Sequence, residues 1–210
     1  MKIVVFGASG GTGVLIVEQA LSAGHDVLAF VRDPAKLVLK SPKLTIVQGN
    51  VLVPSQVEQA ILGQDAVVSA LGPTRPFTPG LLENAVKNIA SAMKKHGVRR
   101  LISTGGTVVH DPQDRPTLLD RSIKLLMSLP GHEVIHDAEK SNQLIRTTDL
   151  DWTIARFPMR LTNGPRTGHY RTGYLGKNVS TQLSRADGAD FVIQELTYGQ
   201  FIKKAPVVSY

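Results

Sequence analysis

The chain has no cysteine among its 210 residues. That excludes disulfides, Cys-ligated zinc and a thiolate nucleophile, and it suits a reducing compartment. It has no low-complexity tract and no internal repeat, and its 42% hydrophobic and 20% charged composition is that of an ordinary globular domain. Long apolar runs are lacking too. The N-terminal MKIVVFGASGGTG carries one Lys and a short apolar run broken by glycines, which reads neither as a signal peptide nor as a membrane span. The protein is therefore expected in the cytoplasm, free of membrane, as one domain over residues 1–210.

Acidic residues are in deficit, with 17 Asp and Glu against 24 Lys and Arg, for a net charge of +7. The densest basic cluster, KKHGVRR at 94–100, is placed to end a helix and enter a strand. Cations there complement the helix C-terminus, and Gly97 supplies the stop. No nucleic-acid partner is expected, whereas a basic surface favours small anions such as phosphates and carboxylates.

A third zinc ligand is also missing. His132-Glu133-Val134-Ile135-His136 has the H-e-x-x-h spacing of a zinc protease, in which two His one helical turn apart bind the metal. A His six residues after the second would fall on Asn142. A Glu about twenty residues on would fall in RFPMR, which has none. His132 also follows Pro130 closely, at a helix start rather than within one. No metal is expected.

What is present is alternation. Val- and Ile-rich runs at 2–6, 26–31, 44–48, 65–70, 98–103 and 151–156 read as strands. Between and after them lie helical patterns at 12–23, 34–38, 55–62, 79–96, 117–129 and 132–148. That order predicts an α/β fold: a doubly wound, mainly parallel sheet with helices on both faces and ligands beyond the carboxyl ends of the strands.

The first of these loops, VVFGASGGTGVLIVEQAL, sets Gly7, Gly10 and Gly13 between a buried strand and an amphipathic helix. Gly7 allows a tight turn off the strand, Gly10 lets backbone approach a pyrophosphate, and Gly13 lets the helix pack closely. The helix N-terminus offers free N–H groups, with the Ser9 and Thr12 hydroxyls to assist. The second loop, AFVRDPAKL, ends its strand on Arg32, where an NAD enzyme usually sets an acid on the ribose diol. Asp33 precedes Pro34 and fits the N-cap of the next helix. Arg32 can instead stack on adenine and pair with a 2′-phosphate, so NADP(H) is the expected cofactor.

Through IVVFGASGGTG, VRDPAKL, VQGNVL, GQDAVVSALG, NIASAMKKHGVRRLIST and LDWTIARFPM the chain resembles the atypical short-chain dehydrogenase/reductases of NmrA-like, Rossmann-like type. Within them it is most similar to the biliverdin-IXβ reductase/flavin reductase group. The resemblance implies that Gly7, Ser9, Gly10, Gly11 and Thr12, with Gly13 behind them, hold the pyrophosphate, and that Arg32 holds the 2′-phosphate. It further implies Asn50 and Val51 by the adenine, Ala70, Leu71 and Gly72 by the ribose, Ser103 and Thr104 near the nicotinamide, and Phe157 and Pro158 over its carboxamide. Asn50 stands where the group more usually has Asp, and Gly106 where the reductase tends to have Ser. A substrate-polarising hydroxyl is thus left to Ser103, Thr104 or Thr107.

The Tyr-x-x-x-Lys pair of ordinary short-chain dehydrogenases, in which Lys lowers the Tyr pKa, is absent: none of the four Tyr has Lys four residues on. Lys140 lies in the expected helix, but its i−4 neighbour is His136. That leaves either a His-x-x-x-Lys relay, with Lys140 catalytic beside Ser103 and Thr104, or a solvated helix face. The activity expected is hydride transfer from NADPH to a flat conjugated acceptor, a flavin or a biliverdin-type tetrapyrrole, by a monomer or weak homo-oligomer. Its acceptor pocket is expected from 72–80, 104–112 and 160–174, with Arg75, Arg160 and Arg166. The other class of function left open is a non-catalytic NADP(H) sensor.

Overall fold

The structure is a computed structural model. It describes residues 1–74, 76–177 and 179–210, and side chains everywhere among these except 118–130; Arg75 therefore lies outside the described residues. Strands β1 (Lys2–Phe6), β2 (Asp26–Val31), β3 (Leu44–Gln48), β4 (Ala66–Ser69), β5 (Arg100–Gly106) and β6 (Asp151–Phe157) occupy the predicted runs with small shifts at their ends. They pair in parallel in the order β3-β2-β1-β4-β5-β6. The doubly wound expectation holds, with the topological switch point between β1 and β4.

Both faces of the sheet are covered, which is why its central strands read as continuous apolar runs. Ile3 and Val5 face a core shared with Ile16, Val17 and Val192, from α1 (Gly13–Ser22) and α5 (Arg185–Tyr198). Val4 and Phe6 face the opposite core, with Val57 of α2 (Pro54–Ile61), Ile89 of α3 (Leu81–His96) and Ile145 of α4 (Leu118–Thr147). The break predicted between two helices is a bend at Gly131 (φ −123°, ψ 19°), around which both halves form α4. The predicted helix at 34–38 is a single 3-10 turn, Pro34–Lys36, and Asp33 caps it by accepting from the Ala35 amide at 3.1 Å.

The basic cluster closes α3 as expected. Gly97 takes the left-handed conformation (φ 68°) at the C-cap, Lys95 pairs with Glu58, Arg99 with Asp151 and Arg100 with Glu195. Beyond Phe157 the chain forms elements with no counterpart in the sequence reading. β7 (Arg160–Thr162) pairs with β9 (Gln182–Ser184) in a separate ribbon, α5 follows, and β10 (Val207–Ser209) joins β6 in parallel. β8 (Arg171–Gly173) then adds to β10 as the sheet's one antiparallel edge. Among the described residues no helix is long and apolar enough to cross a membrane.

Candidate active site

The first loop leaves β1 through Gly7 at φ +77°. A Cβ at Gly7 would stand 2.6 Å from the carbonyl oxygen of Ala70, so the loops after β1 and β4 touch at the switch point and glycine is what admits the contact. Gly10 closes the turn by donating to the Gly7 carbonyl at 3.0 Å. A Cβ at Gly13 would fall 2.1 Å from that same oxygen, so the start of α1 sits against the turn as only glycine permits. Gly10 and Gly11 are exposed, and Ser9 and Thr12 half-buried. Thr12 is the N-cap of α1, its side chain makes no cap hydrogen bond, and the first turn holds no acid. An uncapped helix end beneath a glycine cradle is free for an anion, and the residues present fit a dinucleotide pyrophosphate.

At the end of β2, Arg32 is exposed, and among the described residues its guanidinium has no partner. It can take a phosphate without giving up an ion pair. Asn50 is less free, since its side chain accepts from the Leu52 amide at 3.0 Å and so shapes its own turn. Val51 is buried beneath it, and its carbonyl accepts from Asn88 of α3 at 2.9 Å. Ala70, Leu71 and Gly72 line the exit of β4, Gly72 with nothing within 4 Å of where a Cβ would be.

Ser103 and Thr104 are brought to the centre of the sheet's carboxyl edge, in register with Ile154 and Ala155. Ser103 is buried, and Thr104 Oγ1 reaches towards the Ser69 carbonyl at 3.5 Å. Lys140 is not brought there, which corrects its expected catalytic placement. Asn142 faces Gly105, where a Cβ would be 3.8 Å from its Nδ2. Two residues along an α-helix is a turn of about 200°. Lys140 therefore projects from the far side of α4, where it is exposed and lies 3.8 Å from Glu83. His136 is on the exposed side too, its ring stacked 5.8 Å from that of His132. What the HEVIHD segment contributes inward is Asp137, buried, which accepts from the Leu82 and Glu83 amides at 3.0 Å and caps α3. A carboxylate accepting two backbone N–H groups at a helix start is a full capping arrangement.

Phe157 and Pro158 part company. The Phe157 ring is buried against Gly188 of α5, whereas Pro158 borders a cavity of about 660 Å³. That cavity opens beyond the ends of β5 and β6. Thr107, the third candidate hydroxyl, lines it, as do His110, Arg160, Arg171 and Lys177, with no Asp or Glu among the described lining residues. Expected contributions from 104–112 and 160–174 are therefore present, while none comes from the described part of 72–80. Arg166 is elsewhere, its guanidinium 2.6 Å from the buried carboxylate of Asp190.

Two buried carboxylates hold the cavity walls, and the sequence reading missed both. Asp114 receives both arms of Arg156 at 2.7 and 2.8 Å, the Asp111 amide at 2.7 Å and the Leu175 amide at 3.0 Å. Burial alone would raise its pKa, but these donors outweigh it and hold the carboxyl below its usual range. Asp187 accepts from the Thr167 and Gly168 amides at 2.7 and 2.9 Å and from Tyr210 Oη at 2.8 Å. Its donors likewise overcome burial and lower its pKa. Asp187 ties α5 to the 163–170 loop and to Tyr210, a cavity residue. The available signal was Ser184-Arg-Ala-Asp187: the Ser184 hydroxyl caps α5 by accepting from the Asp187 amide at 2.9 Å.

Residues 7–198 match the family model described as NAD(P)H-binding. An uncharacterised chloroplastic protein of Arabidopsis thaliana is 33% identical over 178 residues, which are 80% of this chain and 62% of that protein. An uncharacterised protein of Bacillus subtilis is 29% identical over 206 residues, 94% of this chain and 93% of its own. The chain thus spans less than two thirds of the Arabidopsis relative and nearly all of the Bacillus one. Among solved structures, a Streptococcus pneumoniae protein provisionally assigned as an NADH-flavin reductase is 25% identical, with a TM-score of 0.80, covering 100% of this chain and 99% of that one.

Proposed function

Because this chain belongs to the NAD(P)H-binding family, we propose that it is an NADPH-dependent reductase acting on a flat, conjugated, anionic acceptor, a flavin or a biliverdin-type tetrapyrrole. The observation that carries this is the cavity beside Pro158, of a size for a planar polycyclic ligand, walled by Arg160, Arg171 and Lys177 and without an Asp or Glu among its described lining residues. The provisional assignment of the pneumococcal relative points the same way.

The nicotinamide, when bound, supplies a hydride. The chain's own residues do the rest by position. Gly7, Gly10 and Gly13 open the cradle for the pyrophosphate, Arg32 meets the 2′-phosphate, and the nicotinamide would lie near Ser103 and Thr104, which sit on β5 beside the end of β4. Arg160, Arg171 and Lys177 orient the acceptor's anionic groups, and Pro158 and the buried Arg156–Asp114 pair fix the wall against which its plane rests. With no Tyr-x-x-x-Lys pair and with Lys140 facing outward, the proton donor that ordinary short-chain dehydrogenases offer an alkoxide is lacking. Conjugated acceptors, which spread incoming charge, are therefore favoured over simple ketones. A cytoplasmic setting, consistent with the lack of cysteine, and a monomeric or weakly associated state belong to the same proposal.

Stopped-flow oxidation of NADPH in the presence of the protein tests it. FMN or biliverdin should accept the hydride and a panel of aliphatic ketones should not. Tight NADPH binding with no turnover of any acceptor would replace this reading with that of a non-catalytic NADP(H) sensor.

A further inference from the structure

Arg185, the first residue of α5, lies against the glycine loop at Gly11. A Cβ at Gly11 would stand 3.2 Å from its Nε and 3.4 Å from its Cδ, so the side chain lies close against the loop where glycine leaves it room. Its Nη1 is held by the Leu161 carbonyl at 3.2 Å and by Asn163 Oδ1 at 2.8 Å. Both acceptors are neutral, and among the described residues no carboxylate pairs with Arg185. Arg166 and Arg156 differ in this, being paired with Asp190 and Asp114. Arg185 is thus a half-buried, oriented cation without a counter-charge, beside exposed backbone of Gly10 and Gly11 and near an uncapped helix start. Such a group gains strongly from an anion, and a guanidinium held on one edge keeps its other edge for a phosphate fork.

We propose that Arg185 is a ligand of the cofactor's pyrophosphate, reaching it from α5, and that it links cofactor occupancy to residues 161–163, next to Arg160 in the wall of the acceptor cavity. The inference rests on the NAD(P)H reading of the glycine loop. It differs from the role given to Arg32 in a measurable way, because the 2′-phosphate belongs to NADPH alone whereas the pyrophosphate is common to NADPH and NADH.

The test is binding, by fluorescence or calorimetric titration of the full chain, with circular dichroism confirming the fold. Arg185→Gln should raise Kd for NADPH and NADH alike, by about tenfold or more for a lost charge-assisted pair, leaving their ratio unchanged. Affinity for 2′-phosphoadenosine, which has no pyrophosphate, should not move. Arg185→Lys, which keeps the charge, should bind both dinucleotides more tightly than the Gln variant. Unchanged Kd values in a folded Gln variant would overturn this inference and leave the cofactor reading standing. So would an equal loss for 2′-phosphoadenosine, which would mark general distortion, or equal losses in the Lys and Gln variants. If the wild-type chain binds neither dinucleotide, the cofactor reading itself falls and this inference with it.

Discussion

Replacing Asp114 with Asn tests whether the wall of the cavity is held by charge. Arg156 is 0% exposed and the Asp114 side chain 1%, so neither has water to fall back on. Asn keeps the shape but removes the charge and turns one acceptor oxygen into an NH2 group. That group would face either Nη1 of Arg156 and the Asp111 amide, or Nη2 of Arg156 and the Leu175 amide, donor against donor. The guanidinium would keep its bonds to the Ala205 and Val109 carbonyls but lose its counter-charge. Breaking one side of a buried pair costs about 3–5 kcal/mol. For a chain of this length that is a fall of about 6–20 °C in Tm. Urea unfolding followed by circular dichroism gives the magnitude, and Asp114→Leu combined with Arg156→Met gives the control. The double variant should recover at least half of the loss, since replacing both charges by apolar groups is often close to neutral. Acid unfolding gives a second measure. Asp114 has a lower pKa folded than unfolded, so its contribution is complete above the ordinary carboxylate value of about 3.9 and is lost as pH falls below it. Asp114→Asn should flatten that part of the acid limb, with the likewise depressed Asp187, Glu58 and Glu83 contributing to what remains. Because Asp114 anchors Leu175 in the cavity wall, KM for the acceptor should rise more than Kd for NADPH. A loss of less than about 1 kcal/mol in Asp114→Asn, or a double variant worse than the sum of its singles, would refute the reasoning.

Arg32→Ala should remove most of the preference for NADPH over NADH, about 1.5 kcal/mol or more for one charge-assisted pair; equal wild-type affinities for the two would refute it. Purified protein should carry no stoichiometric zinc, and EDTA should leave NADPH binding unaltered; one tightly held equivalent by elemental analysis would show that His132 and His136 have found a third ligand.

The sheet's first six strands and the glycine loop were legible because each is a local matter. Strands buried on both faces, such as β1 and β4, read as near-continuous apolar runs. A turn at φ +77° beside the Ala70 carbonyl must be glycine, and an Asp before a Pro at a helix start caps it. Even the bend at Gly131 was written in Pro130-Gly131. The last fifty residues were not legible in this way. α5 buries Asp187, Asp190 and Glu195 along with its apolar residues, so it shows no clean 3.6-residue hydrophobic stripe. Those carboxylates are tolerated only because Thr167, Gly168, Tyr210, Tyr170, Arg166 and Arg100 reach them from distant parts of the chain. The same holds for the site. Which loop is proposed to hold the cofactor follows from the spacing of three glycines. That Lys140 turns outward, that Arg166 is bound to Asp190 while Arg160 stays in the cavity wall, and that Arg185 rests on Gly11 depend on helix rotation and long-range pairing. Backbone constraints act between neighbours in sequence and leave their mark there; the burial of a charge is decided by partners that only the folded chain brings within reach.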